Sequence, residues 1–133
     1  MKNLLLLFLF SISLFGSEWV SYKEVYENRP NKPIFVFVSQ DNCKYCQIER
    51  KRFVKDKIFT KFLNENFQTV YINQSKDFIP VDLMSQMTPA FYILEPKSLR
   101  MLSDPAYGAI PLDKMKPWLE QIKEAYNKYK QEN

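Results

Sequence analysis

The chain has 133 residues, 46% of them hydrophobic and 16% aromatic, which suits one globular domain with a single apolar core. Only two glycines are present and no histidine. The first excludes Gly-rich phosphate loops and dinucleotide fingerprints, and the second excludes Ser–His and Cys–His catalytic pairs and most zinc ligand sets. The formal net charge is +4, with the charges interspersed. The densest basic run, Arg50-Lys51-Arg52, reads as a solvated helical face, and no nucleic-acid partner is expected.

Met1-Lys2-Asn3 begins the chain with one basic residue, and an almost wholly apolar run follows from Leu4 to Leu14. Phe15, Gly16 and Ser17 then precede acidic Glu18. This order predicts a secretory signal peptide over 1–16, cleaved after Gly16, and a mature domain over 17–133. The apolar run is shorter than the ~20 residues that span a bilayer. A mature protein outside the cytoplasm meets conditions that permit disulfide chemistry.

Trp19, Tyr22, Val25 and Tyr26 recur at helical spacing and predict an amphipathic helix over Ser17–Glu27. Pro30 and Pro33 break it. Ile34 to Val38 is a continuous apolar, β-favouring run, the pattern of a central strand covered on both faces. After a loop over 39–42, a helix is expected from Cys43 to about Lys55, capped by Asp41 or Asn42. A second helical piece over 56–67 carries Ile58, Phe59, Phe62 and Leu63 on one side. A strand follows over 68–72, a polar loop over 73–77 and an irregular stretch with a short helix over 78–87. Thr88-Pro89 opens the apolar run Ala90–Leu94. Pro96 then marks a turn, after which Leu99–Ser103 is expected to return as an antiparallel strand. A loop over 104–111 contains Gly108. Leu112, Met115, Trp118, Leu119, Ile122, Tyr126 and Tyr129 line one face of a last helix. Pro117 is tolerable there only in or beside the first turn. Residues 128–133 read as a fraying tail.

The only two cysteines stand in Cys43-Lys44-Tyr45-Cys46, between the predicted strand and helix. Thiols at i and i+3 in a first helical turn can close a small disulfide. The helix N-terminus offers unpaired N–H groups and partial positive charge, Lys44 adds a cation, and both favour a thiolate on Cys43. Cys43 is therefore the candidate nucleophile and Cys46 the buried resolving thiol. Other readings stay open. A purely structural bridge of this spacing would restrain the unfolded chain little. A zinc half-site lacks a second ligand pair. Haem attachment would need His where Gln47 stands.

The strand-loop-CxxC-helix unit, Thr88-Pro89 heading a later strand, and a hairpin, Gly108 loop and final helix together resemble the thioredoxin-like superfamily. Within it the chain is similar to the exported bacterial thiol:disulfide oxidoreductases of the thioredoxin-related, SoxW-like group, which also enter through a helix, a Lys-Pro pair and a strand, here Lys32-Pro33 before Ile34. The resemblance covers 17–129. It implies an α/β thioredoxin-like fold, a central mixed β-sheet flanked by α-helices. It also implies a periplasmic enzyme in which Cys43 attacks and Cys46 resolves. Pro89 would be a cis-proline opposite the CxxC, and the backbone of Thr88 would pair with the substrate chain. Protein disulfides would be the substrates and a membrane or periplasmic thiol the electron donor. The protein is expected to be a monomer without a cofactor.

Two positions depart from the family pattern. Asn42 stands where many thioredoxins have Trp, and Phe37 where many carry a buried Asp that moves a proton to or from the resolving thiol. The base would then be water or Glu49, one turn beyond Cys46, although Glu49 reads first as a surface charge. A thioredoxin-fold binding module with a static disulfide is the alternative from another class. Glutaredoxin-like glutathione chemistry rests on Tyr45 alone.

Overall fold

The computed structural model describes residues 19–133. The expected leader over 1–16 lies outside the described residues. Elements follow in the order α1 (Tyr22–Glu27), β1 (Ile34–Ser39), α2 (Lys44–Lys55), α3 (Lys57–Asn66), β2 (Gln68–Asn73), a 3-10 turn at Val81–Leu83, β3 (Ala90–Leu94), β4 (Ala106–Tyr107) and α4 (Leu112–Glu132). The sheet order is β2-β1-β3-β4, with β1 parallel to β2 and antiparallel to β3. This is the mixed sheet flanked by helices that the sequence predicts.

Every residue of β1 is buried, because alternate side chains feed two cores. Phe35 and Phe37 point to the side of α2, α3 and α4, where they meet Phe53, Phe59, Leu63, Met115 and Leu119. Ile34, Val36 and Val38 point to the other side, with Tyr22 and Val25 of α1 and Leu83. The first core is strongly aromatic. Phe37 lies 5.0 Å from Phe91, 5.6 Å from Phe53 and 5.5 Å from Tyr71, ring centroid to ring centroid. Burying one such ring stabilises the fold by roughly 1.5–3 kcal/mol.

Several boundaries differ from the sequence reading. The first helix begins only at Tyr22, with Ser21 as its cap, and Ser17 and Glu18 lie outside the described residues. Val20 instead makes a parallel bridge to Val70, and Trp19 reaches into the aromatic core, stacked on Phe53 at 5.8 Å. Asp56 ends α2 and caps α3 through Phe59 N–H, so the chain turns there into two helices. Ile58 is exposed rather than part of the apolar face. Leu99–Ser103 forms only a bridge, Leu94 to Met101, because Leu99 has left-handed backbone (φ 60°) and folds the chain into a turn. The antiparallel partner of β3 is instead Ala106–Tyr107, inside the stretch 104–111 expected to be a loop. Helix α4 runs on through the expected tail to Glu132, with Pro117 just past its first turn. Tyr129 is exposed, so the buried face of α4 is Met115, Leu119, Ile122 and Tyr126.

Candidate active site

Strand β1 delivers the chain into a tight loop at the C-terminal edge of the sheet. Asn42 adopts left-handed backbone there (φ 58°), a conformation Asn tolerates better than most residues. This places Cys43, and not Asp41 or Asn42, at the cap of α2: its Sγ accepts from Cys46 N–H at 3.2 Å. The cap is thus the reactive sulfur itself. Cys43 and Cys46 are joined as a disulfide, with their Cα atoms 5.2 Å apart. Cys43 is 8% exposed and Cys46 1%, while Lys44 and Tyr45 between them project into solvent.

The Thr88–Pro89 peptide is cis, and the segment it heads brings Thr88 onto the disulfide. Thr88 Oγ1 donates to Cys43 Sγ at 3.3 Å. The four residues singled out in the sequence as nucleophile, resolving thiol and substrate contacts therefore meet in one place. Pro89 is held in turn by the loop after β4, where Gly108 N–H donates to the Pro89 carbonyl at 2.7 Å.

A polar framework that the sequence reading missed holds these loops together. Asn73 Nδ2 donates to Asp41 Oδ1 at 2.9 Å, and Asp41 N–H donates to Ser75 Oγ at 2.9 Å. Gln74 bridges further. Its Nε2 donates to Gln40 Oε1 at 3.0 Å and to the Ser85 carbonyl at 2.7 Å, and its Oε1 accepts from Ser85 N–H at 3.0 Å. Ser85 Oγ then donates to the Met87 carbonyl at 2.7 Å. The loop before Cys43 and the loop before Thr88 are thus fastened to the same end of β2. The signal available in the sequence was the run Asn73-Gln74-Ser75 directly after a β-favouring strand.

Glu49 is not the surface charge that its residue type suggests. It is 0% exposed, on the same stripe of α2 as Cys46 and Phe53. Its Oε1 accepts from Arg52 at 2.8 Å, whereas Oε2 is buried without a hydrogen-bond partner. Burial pushes the carboxyl above its ordinary value. The Arg52 charge opposes this, as does the backbone N–H of Ile110. Phe37, where a strand carboxylate could have stood, is packed among rings and 1% exposed. Among the described residues no group of three or more Cys, Asp or Glu is placed to hold a metal ion.

No protein-family model matches the sequence, and no curated protein does. Solved structures do match. A thioredoxin from Thermus thermophilus aligns with a TM-score of 0.61 at 19% identity, over 79% of this chain and 85% of that one. Thioredoxin f2 from Chlamydomonas reinhardtii gives 0.61 at 17% identity, over 80% and 95%. The periplasmic thioredoxin SoxS from Paracoccus pantotrophus, in its reduced form, gives 0.53 at 16% identity, over 70% and 97%. The chain has the thioredoxin fold, with a CxxC pair at the N-terminus of the helix that follows its central strand.

Proposed function

We propose that this protein is an exported thiol:disulfide oxidoreductase of the SoxW-like kind, reducing or isomerising protein disulfides through Cys43 and Cys46. The observation that carries the reading is the convergence of two donors, Cys46 N–H and Thr88 Oγ1, on the one sulfur at the α2 N-terminus. Donors aimed at a sulfur at a positive helix end stabilise a thiolate there. In the reduced protein the Cys43 thiolate attacks one sulfur of a client disulfide. A mixed disulfide forms, and the other client sulfur leaves as a thiolate. Cys46, deprotonated, then attacks Cys43 Sγ and restores the internal disulfide, releasing the second client thiolate. The client gains two electrons and the enzyme dithiol loses two. A membrane or periplasmic dithiol donor returns them.

A client chain would lie along Thr88, beside exposed Tyr45 and Met87. Export is supported by the charge-apolar-small order of residues 1–16. Among the described residues no helix is long and apolar enough to cross a membrane. We take the protein to act in the periplasm as a monomer, as a reductant or isomerase rather than a strong oxidant.

The test is titration of the purified protein against glutathione redox buffers, an insulin reduction assay, and a Cys46→Ser variant mixed with a disulfide client. The expected results are reversible cycling of the pair, rapid alkylation of Cys43 with Cys46 protected, and a trapped mixed disulfide on Cys43. Two inert sulfurs would leave a binding module with a static disulfide. Trapping of glutathione alone would favour glutaredoxin-like chemistry.

A further inference from the structure

A groove of about 890 Å³ opens between the C-terminal half of α2, β2 and the segment that enters α1. The rings of Trp19, Phe37, Phe53, Tyr71 and Phe78 line it, together with Val54. Phe78 is 74% exposed and Val54 66%, so two apolar side chains of this lining stand open to water. Covering them would contribute roughly 25 cal/mol per Å² of apolar surface. An apolar concavity with polar groups at its rim is the usual form of a ligand site.

The charge around this lining has one sign. Lys23, Arg50, Lys57 and Lys76 border the groove, against a single acid, Asp77, and all five are exposed. Asp77 is already engaged, its Oδ2 accepting from Asn73 N–H at 2.7 Å. Lys23 has a loose partner in Glu27 at 3.8 Å. Among the described residues, Arg50, Lys57 and Lys76 have no carboxylate within ion-pair distance. Arg50 is instead held over the Tyr71 ring, its guanidinium carbon 4.7 Å from the ring centroid. Stacking uses the face of a guanidinium and leaves its in-plane N–H donors for a planar anion.

We propose that this groove binds a small amphiphilic carboxylate, its head on Arg50 and the neighbouring lysines and its apolar body on the aromatic lining. The volume falls within the ~300–1,000 Å³ of small-molecule sites. An extended peptide would need free backbone groups along the outer edge of β2, and these are taken. Val20 N–H donates to the Thr69 carbonyl at 3.0 Å, Tyr71 N–H donates to the Val20 carbonyl at 3.1 Å, and Asn73 N–H is bonded to Asp77. A purely polar anion such as inorganic phosphate would meet the cations and leave the rings and Val54 uncovered.

The site is separate from the disulfide. None of Cys43, Cys46, Thr88 and Pro89 lines the groove, and its residues on α2 begin at Arg50, one turn past Cys46. The proposal therefore does not rest on the dithiol reading. A ligand held there by the folded chain alone must also stabilise that chain by mass action, which gives a second readout besides affinity.

The test titrates the full-length disulfide form with 2-naphthoate and, separately, with dodecanoate below its micelle concentration, followed by nitrogen-15 NMR and thermal unfolding. Saturable binding of either anion is expected, with a raised unfolding temperature and shifts centred on Trp19, Arg50, Val54 and Phe78. Binding of one anion and not the other supports the site and identifies its body as aromatic or aliphatic. 2-Naphthamide, which keeps the aromatic body without the charge, should bind about tenfold or more weakly than 2-naphthoate, as should 2-naphthoate to the double variant Arg50→Gln, Lys76→Gln, the scale of a lost charge-assisted hydrogen bond. If that variant does not fold, the wild type is titrated at low and high salt. A severalfold loss of affinity at high salt supports the charged rim, and none overturns it. Affinity that ignores both substitutions, shifts centred on Thr88 instead, or no saturation of either anion by about 1 mM overturns the proposal. So does binding of an acidic aromatic peptide in the groove where neither anion binds, which would make it a protein-docking surface.

Discussion

Thr88 Oγ1 donates to Cys43 Sγ at 3.3 Å across a sequence separation of 45, so the residue that would meet a client chain is bonded to the sulfur that would attack it. A hydroxyl in that place should serve the reduced protein more than the oxidised one, because a hydrogen bond to a charged acceptor is stronger than one to a neutral sulfur. Thr88→Val keeps the shape and removes the donor. The expected result is a roughly three- to tenfold slower alkylation of Cys43 by iodoacetamide near neutral pH, about 1 kcal/mol less thiolate stabilisation. Unchanged alkylation would show that the hydroxyl contributes nothing to the thiolate.

Gln74 makes three side-chain bonds that tie Gln40, before the CxxC, to Ser85, before Thr88. Gln74→Ala leaves the Ser85 N–H and carbonyl without their partner in a part-buried place. Such losses destabilise by about 1–3 kcal/mol. Urea denaturation should show that loss. Hydrogen exchange should show faster opening at 85–88 before any change in α4, and uniform loosening across the chain would count against a local clamp.

How far the sequence could carry this site depends on the range of each signal. Cys43, Cys46 and Thr88-Pro89 were readable because strand, CxxC and proline are local patterns. The central strand was readable because an unbroken apolar run has few other homes. Strand β4 was not, since two residues carry no periodicity, and Leu99 bends the chain where an extended return was expected. Residue type favours oxygen-bearing Asp41 or Asn42 as the cap of α2, whereas the left-handed turn at Asn42 puts the Cys43 sulfur there instead. Glu49 is hard to place from its residue type, which points to the surface, whereas its helical phase points inward. Cys46 and Phe53 lie two helical turns apart, and that stripe passes through position 49 whatever residue occupies it.

Gly108 has φ +82° and its N–H donates to the Pro89 carbonyl. A Cβ added there would meet no atom within 4 Å, so any effect of substitution comes from the backbone alone. Gly108→Ala should cost about 1–2 kcal/mol, the penalty for an L-residue in left-handed backbone, and Gly108→Asn less. Chemical denaturation of the pair checks this. Equal losses for Ala and Asn would point to a cause other than conformation.

Phe37 touches rings on four elements or segments: Trp19 at 6.2 Å, Phe53, Tyr71 and Phe91. Phe37→Ala should destabilise by about 3–5 kcal/mol through the cavity left among them, and Phe37→Leu by considerably less. Urea midpoints at constant m-value would measure both. A loss under ~1 kcal/mol for Ala would mean that the neighbouring rings collapse into the space.

Glu49 gives a stability prediction whose sign runs opposite to that of most carboxylates. Its folded carboxyl is raised above the ordinary 4.5, so the native state holds more protons than the unfolded chain between the two values. Stability must then fall as pH rises through that window, instead of falling with acid. Glu49→Met fills a similar volume without an ionisable group, and Arg52, being 41% exposed, can turn to water. Replacing a buried ion pair with apolar side chains is commonly neutral or stabilising by 1–4 kcal/mol, so a gain of about 1–3 kcal/mol is expected above the folded titration range. The gain should shrink toward zero as pH approaches the unfolded value, where wild-type Glu49 is neutral too. Urea denaturation of the disulfide form at several pH values measures the difference. A Glu49→Met variant that is less stable at every pH would mean that the Arg52 pairing outweighs the burial.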